Sequence, residues 1–211
     1  VDAAYAGSAA VLPEMRWIFD GIENADSLVI NPHKWMFTPI DLSIFYTKKP
    51  EVLKRAFSLS AEYLKASEKE STNFMDYGIQ LGRRFRALKL WFIIKHFGVE
   101  GIRKRIKEHI RLAKEFAEWI DAHSNFERMA PTDFGVVCFR AHPKNIDDED
   151  ELYSLNEELL NKINESGKLF LSHTKLNGKY VLRISISGLR TFENHVNSAK
   201  ELIQEKVQAI I

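Results

Sequence analysis

Two residues of this 211-residue chain could together support demanding chemistry: Lys34, in the run Asn31-Pro32-His33-Lys34-Trp35, and Asp2, in the run Val1-Asp2-Ala3-Ala4-Tyr5-Ala6-Gly7-Ser8. A lysine amine is ordinarily protonated and well hydrated. Once desolvated, or set beside another cation, it becomes nucleophilic enough to condense with an aldehyde. A carboxylate against a pyridine nitrogen keeps that ring protonated, so the ring can draw in the electron pair released when a bond to a substrate carbon breaks. Pyridoxal phosphate (PLP) carries an aldehyde and a pyridine nitrogen at opposite edges of one ring, and Lys34 and Asp2 match them one to one.

Taken singly, each residue has an ordinary reading: a lysine between a proline and a tryptophan sits on a solvated surface, and one aspartate signals nothing. Their order along the chain carries more. Ser27-Leu28-Val29-Ile30 is a short apolar run of the buried-strand type and ends at Asn31-Pro32. Lys34 is thereby expected in the loop just past a strand's carboxyl end, where open α/β sheets bind ligands.

The elements around them alternate as in an α/β protein. A short helix is expected over 13–21, strands over 27–30 and 42–47, a long polar mobile loop over 56–78, and helices over 81–97 and 99–123 with Gly98 between them. The first of these helices places Phe85, Leu88, Trp91 and Phe92 on one side. Arg83, Arg84, Arg86 and Lys89 lie on another, with some arginines paired to carboxylates at a subunit interface. Beyond residue 123 the pattern becomes α+β: a strand over 135–140, a helix over 151–165, a hairpin of 169–174 and 180–187 turning at Asn177-Gly178, and a terminal helix over 192–211. Residues 1–97 thus read as one part of the chain and 98–211 as a small α+β domain.

Composition adds exclusions. A formal net charge of +1 gives no reason to invoke nucleic acid or an anionic membrane, and no apolar run approaches a membrane span. The single cysteine, Cys138, permits no internal disulfide, fits a reducing, cytoplasmic setting, and reads as an inert core residue.

At these same motifs the chain resembles the group II PLP-dependent amino-acid decarboxylases, the family that includes the enzymes for aromatic amino acids. The segment around Asp2 is similar to the family's aspartate segment and Asn31-Pro32-His33-Lys34-Trp35 to its Schiff-base lysine motif. Leu81-Gly82-Arg83-Arg84-Phe85-Arg86 and Tyr180-Val181-Leu182-Arg183-Ile184-Ser185-Ile186 match later blocks in the same order. The resemblance implies a PLP-dependent transferase-like fold of type I, with part of the large-domain sheet followed by a small C-terminal domain. It also implies a homodimer with its site at the subunit interface. Family members are more than twice this length, so the chain is expected to be their carboxyl-terminal part, inactive alone and lacking an N-terminal part that holds other cofactor contacts.

The resemblance carries roles to particular residues. Lys34 would hold the cofactor, Asp2 would face the pyridine nitrogen, Ala4 would let the ring lie flat, and Asn31 and His33 would lie near the phosphate. Tyr63, in the long loop, would return a proton to the substrate's α-carbon. Relatives with phenylalanine there tend toward oxidative deamination, so tyrosine favours plain decarboxylation. Gly82 would line the side-chain pocket, where glycine goes with bulky aromatic substrates. In many enzymes of this fold an arginine clamps the substrate carboxylate; Arg183 reads instead as structural, because a decarboxylase gains by leaving that group desolvated. Two alternatives stay open: a different PLP reaction on the same fold, such as aldehyde synthesis or desulfuration, and a dimerising fragment without catalysis.

Overall fold

The structure, a computed structural model, describes residues 1–58 and 72–211. They form two compact units, 1–98 and 99–211.

In the first unit, strand β1 (Ser27–Ile30) pairs antiparallel with β2 (Ile44–Thr47), Ser27 opposite Thr47 and Ile30 opposite Ile44. The chain's first residues run parallel along the other edge of β1. Val29 N–H donates to the Val1 carbonyl (3.1 Å), Ala3 N–H to Val29 (3.0 Å) and Asn31 N–H to Ala4 (3.0 Å). The apolar run at 27–30 is therefore the middle of three paired segments. Gly7 allows this closeness, since a Cβ there would stand 3.0 Å from Ala3 Cβ and 3.1 Å from Ile30 Cγ1. The helix expected over 13–21 is a 3₁₀ helix, Pro13–Phe19, flanked by two further 3₁₀ segments, Ala6–Val11 and Ile22–Asn24.

Pro32 opens the one-turn helix α1 (Pro32–Trp35), where a missing N–H costs nothing. A further helix, α2 (Pro50–Phe57), also starts on proline and reaches into the stretch read as loop from residue 56; residues 74–77 form another 3₁₀ turn. The helical stretch α3 (Ala87–Ala122) is broken at Gly98, whose φ of 64° and ψ of 171° lie outside the helical region. Its first part begins at Ala87 rather than at 81, with the arginines ahead of it. Three cations at a helix start oppose the helix dipole and need carboxylate partners from elsewhere. This part turns Lys89, Leu90, Ile93 and Phe97 inward, while Phe85 (75% exposed), Trp91 (51%) and Phe92 (58%) face outward.

The second unit holds a four-stranded antiparallel sheet in the order β3-β4-β6-β5: β3 (Phe126–Arg128), β4 (Val136–Ala141), β5 (Ser172–Leu176) and β6 (Lys179–Ser185). The β5–β6 turn has positive φ at both Asn177 (51°) and Gly178 (82°), as a two-residue hairpin with the strands' own twist demands. Residues 99–122 of α3, α4 (Glu149–Glu165) and α5 (Glu193–Gln208) supply Phe116, Ile120, Leu159, Ile163 and Ile203, which bury Phe139 and Leu182 of the sheet. Asp148 caps α4 by accepting from Asp150 and Glu151 N–H, each at 3.0 Å. Asn156, fully buried in α4, bonds both backbone groups of Ala141, at 2.7 and 2.9 Å, and the Leu152 carbonyl at 2.8 Å. Arg140, 2% exposed, is clasped by Glu127 and Glu149 at 2.8 Å each, the pairing a buried cation requires.

Candidate functional site

The parallel pairing along β1 brings the two opening residues to one edge of the first unit. Asp2 stands opposite Val29, Ala4 opposite Asn31, and Lys34 follows Asn31 by three residues on α1. Asp2 and Ala4 lie on one segment, Asn31, His33 and Lys34 on its neighbour. Ala4 is buried at 9% exposure and presents only a methyl group. Asp2 Oδ1 accepts from Ala4 N–H at 2.9 Å, which orients the carboxylate and leaves Oδ2 unbonded among the described residues.

Lys34 is anchored through its backbone, with N–H donating to the Asn31 carbonyl at 2.9 Å. Its neighbour Trp35 is fully buried and stacks on Tyr5, ring centroids 4.7 Å apart and planes within 4°. Phe37 ends this turn in the left-handed region (φ 58°), an uncommon place for an aromatic residue. The Lys34 amine itself makes no ion pair or hydrogen bond among the described residues, and the residue is exposed. The desolvation that would activate it is not supplied by these residues.

His33 and Asn31 are fixed by the segment that leads into β2. Leu42 N–H donates to His33 Nδ1 at 3.0 Å, and His33 N–H approaches the Leu42 carbonyl at 3.4 Å. A neutral imidazole that accepts at Nδ1 carries its proton on Nε2, so His33 offers one ring donor. Ser43 Oγ donates to Asn31 Oδ1 at 2.6 Å, leaving the Asn31 amide NH₂ as that side chain's donor group. A carboxylate with one held and one free oxygen, an unpaired amine, a small buried residue and two donors match a ring nitrogen, an aldehyde, a ring face and a phosphate. The residues present fit PLP.

Sequence reasoning missed what holds this loop. Asp41 accepts from Arg84 Nη2 at 2.7 Å and Arg86 Nε at 3.0 Å, and Lys89 Nζ donates to the carbonyls of Asp41 (2.7 Å) and Pro39 (2.9 Å). Desolvation pushes the Asp41 carboxyl upward, but Arg86 and Arg84 outweigh it and hold it below the usual carboxylate range. Two arginines of the cluster, Arg84 and Arg86, find their carboxylate, Asp41, within the same chain. The signal was legible in principle, because three arginines gathered ahead of a helix start call for an acid nearby.

Tyr63 falls outside the described residues. Gly82 has no positive φ, and a Cβ there would meet nothing within 4 Å, so neither backbone conformation nor crowding explains this glycine. Arg183 sits mid-strand in the second unit, opposite Cys138 and Ser172. Burial raises the Cys138 thiol's pKa, although Arg183 acts the other way, so Cys138 remains a protonated, unreactive group. Among the described residues no cluster could hold a metal ion, and no helix is long and apolar enough to cross a membrane.

The chain is similar to known proteins along its whole length. The pyridoxal-dependent decarboxylase conserved domain matches residues 1–142. A tryptophan decarboxylase of Camptotheca acuminata is 41% identical over 214 residues, and a phenylacetaldehyde synthase of Arabidopsis thaliana 44% over 214. Each alignment covers 100% of this chain, but only 43% and 44% of those proteins. The crystal structure of Oryza sativa TDC with PLP and tryptamine superposes with a TM-score of 0.93 at 35% identity, covering 99% of this chain and 44% of that one. The chain therefore spans less than half the length of the relatives it matches, and its α/β fold is that of fold-type-I PLP-dependent decarboxylases.

Proposed function

Since the chain belongs to the pyridoxal-dependent decarboxylase family, we propose that it contributes the lysine-bearing part of an enzyme that decarboxylates an aromatic L-amino acid to the amine and carbon dioxide. The observation that carries this is the pair of adjacent parallel segments, one presenting Asp2 and Ala4, the other Asn31, His33 and Lys34. PLP, when bound, supplies the aldehyde that the lysine takes up and the ring that accepts the electron pair left behind by carbon dioxide.

The chain's own residues do the rest. Lys34 would hold the cofactor through its amine. Asp2, oriented by the Ala4 N–H, would hold a proton on the ring nitrogen. His33 Nε2–H and the Asn31 amide would hold the phosphate, and Ala4 would leave room for the ring. Tyr63 delivers the proton that completes the amine, and Gly82 leaves space for a bulky side chain. Desolvation of the exposed Lys34 falls to parts of the enzyme beyond those described, which agrees with a homodimer whose site lies at the subunit interface. It agrees too with an inactive 211-residue chain. In this reading residues 1–97, with the loop at 56–78, belong to the large cofactor domain and 98–211 form the small C-terminal domain of a cytoplasmic enzyme.

The similarity to a phenylacetaldehyde synthase keeps a second reading in view, in which the product is an aldehyde. Tyr63 favours the amine. Incubating the full-length enzyme with PLP and L-tryptophan, L-tyrosine, L-DOPA or L-phenylalanine should give amine and carbon dioxide in equal amounts. Tyr63→Phe should divert product to the aldehyde. Aldehyde from the unaltered enzyme, or an unchanged amine yield from the variant, would overturn Tyr63's role.

A further inference from the structure

One peptide unit, the bond joining Asp41 to Leu42, is gripped at both ends. Its carbonyl accepts from Lys89 Nζ at 2.7 Å, and its N–H donates to His33 Nδ1 at 3.0 Å. We propose that Lys89 is a positioning residue which acts through this peptide unit to keep His33 in the form protonated at Nε2, ready to donate to an anionic oxygen such as a phosphate's.

The physical argument rests on the peptide's own electronics. Resonance couples the carbonyl to the N–H, so a full positive charge on the oxygen makes the N–H a stronger donor. Hydrogen bonds in a chain polarise one another, most of all where water is partly excluded, and both Lys89 and His33 are half-buried. A strengthened donor at Nδ1 occupies that lone pair and disfavours the alternative tautomer, whose Nδ1–H would collide with the Leu42 N–H. Geometry is held from other sides as well: Lys89 also grips the Pro39 carbonyl at 2.9 Å, and the His33 N–H approaches the Leu42 carbonyl at 3.4 Å.

Arg84 and Arg86 have a different part. They bond the Asp41 carboxylate, which fixes where the loop lies, but neither touches the peptide group that leads to His33. The relay therefore separates two kinds of basic residue that the sequence places in one cluster. Its consequence for the cofactor rests on the reading above, in which His33 meets the PLP phosphate; the tautomer itself does not.

The test uses full-length protein labelled with ¹⁵N-histidine, with the His33 ring signals identified by their loss in His33→Gln. At a pH above the histidine range, the unaltered ring should be protonated on Nε2 alone. Lys89→Met should convert it to a mixture of tautomers and weaken PLP binding, followed by cofactor fluorescence, about tenfold, the scale of one charge-assisted hydrogen bond. Lys89→Arg should keep the single tautomer, and so should Asp41→Asn, which preserves both Lys89 and the peptide group. A proton found on Nδ1 in the unaltered protein overturns the relay without any variant needing to fold, as does an unmixed Nε2 tautomer in Lys89→Met. Protein that shows the expected tautomers yet takes up no PLP contradicts the proposed function and leaves the relay standing.

Discussion

The two units solve the same folding problem differently. The second encloses its sheet with three helical segments, buries Phe116, Phe139, Leu159 and Leu182 completely, and bonds both backbone groups of Ala141 to the buried Asn156. The first combines two four-residue strands, one-turn and two-turn helices, 3₁₀ turns and the part of α3 before Gly98, and leaves Ile79 (90%), Phe85 (75%) and Phe92 (58%) exposed. Yet the first carries every described candidate site residue. Chemistry here sits on short elements whose positions are set by specific polar ties, Asp41 with its arginines and Leu42 with His33, while cohesion by apolar burial is concentrated in the unit without the site.

Breaking that contrast starts with the core. Phe139→Ala should lower stability by about 3–5 kcal/mol in urea unfolding followed by far-ultraviolet circular dichroism, because transfer and cavity terms add at a fully buried aromatic. Trp91→Ser, on the outward face of the first unit, should stay within about 0.5 kcal/mol. Equal losses from the two changes would erase the distinction between the units.

A second, smaller effect sharpens it. His109 in the second unit is fully buried, and desolvation together with Arg105 lowers its pKa to about 4, against the pull of a hydrogen bond with the Gly188 backbone. The folded state therefore resists taking up a proton that the unfolded chain binds near pH 6.5. The contribution is complete above that pH, declines as pH falls, and is exhausted near pH 4, a loss of about 3 kcal/mol at most. Stability measured across this window should fall, and His109→Gln should flatten the slope. A profile unchanged by that substitution would remove His109 from the account. A smaller loss than these concerns α4: Asp148→Ala should cost about 1 kcal/mol, since two N–H groups lose their cap.

Legibility divided between local and non-local chemistry in both units. The strand at 27–30, the Gly98 break and the Asn177-Gly178 hairpin were readable because each rests on local chemistry: an apolar run ended by proline, or residues suited to positive φ. The helix at Pro50–Phe57 is amphipathic but only eight residues long, and the three-residue β3 is shorter still, so each carries too little pattern to stand out. At the site, Lys34 and Asp2 declared themselves by type and motif. Asp41, Leu42 and Lys89 did not, because their part depends on backbone groups brought together across nearly fifty residues, and a peptide carbonyl leaves no mark in a sequence.

The central claim is that Lys34 is the residue that takes up PLP. Borohydride reduction of the full-length protein incubated with PLP, followed by digestion and mass spectrometry, should place the phosphopyridoxyl group on the peptide containing Lys34 and nowhere else in stoichiometric amount. An adduct at another lysine, or full labelling in Lys34→Ala, would contradict it.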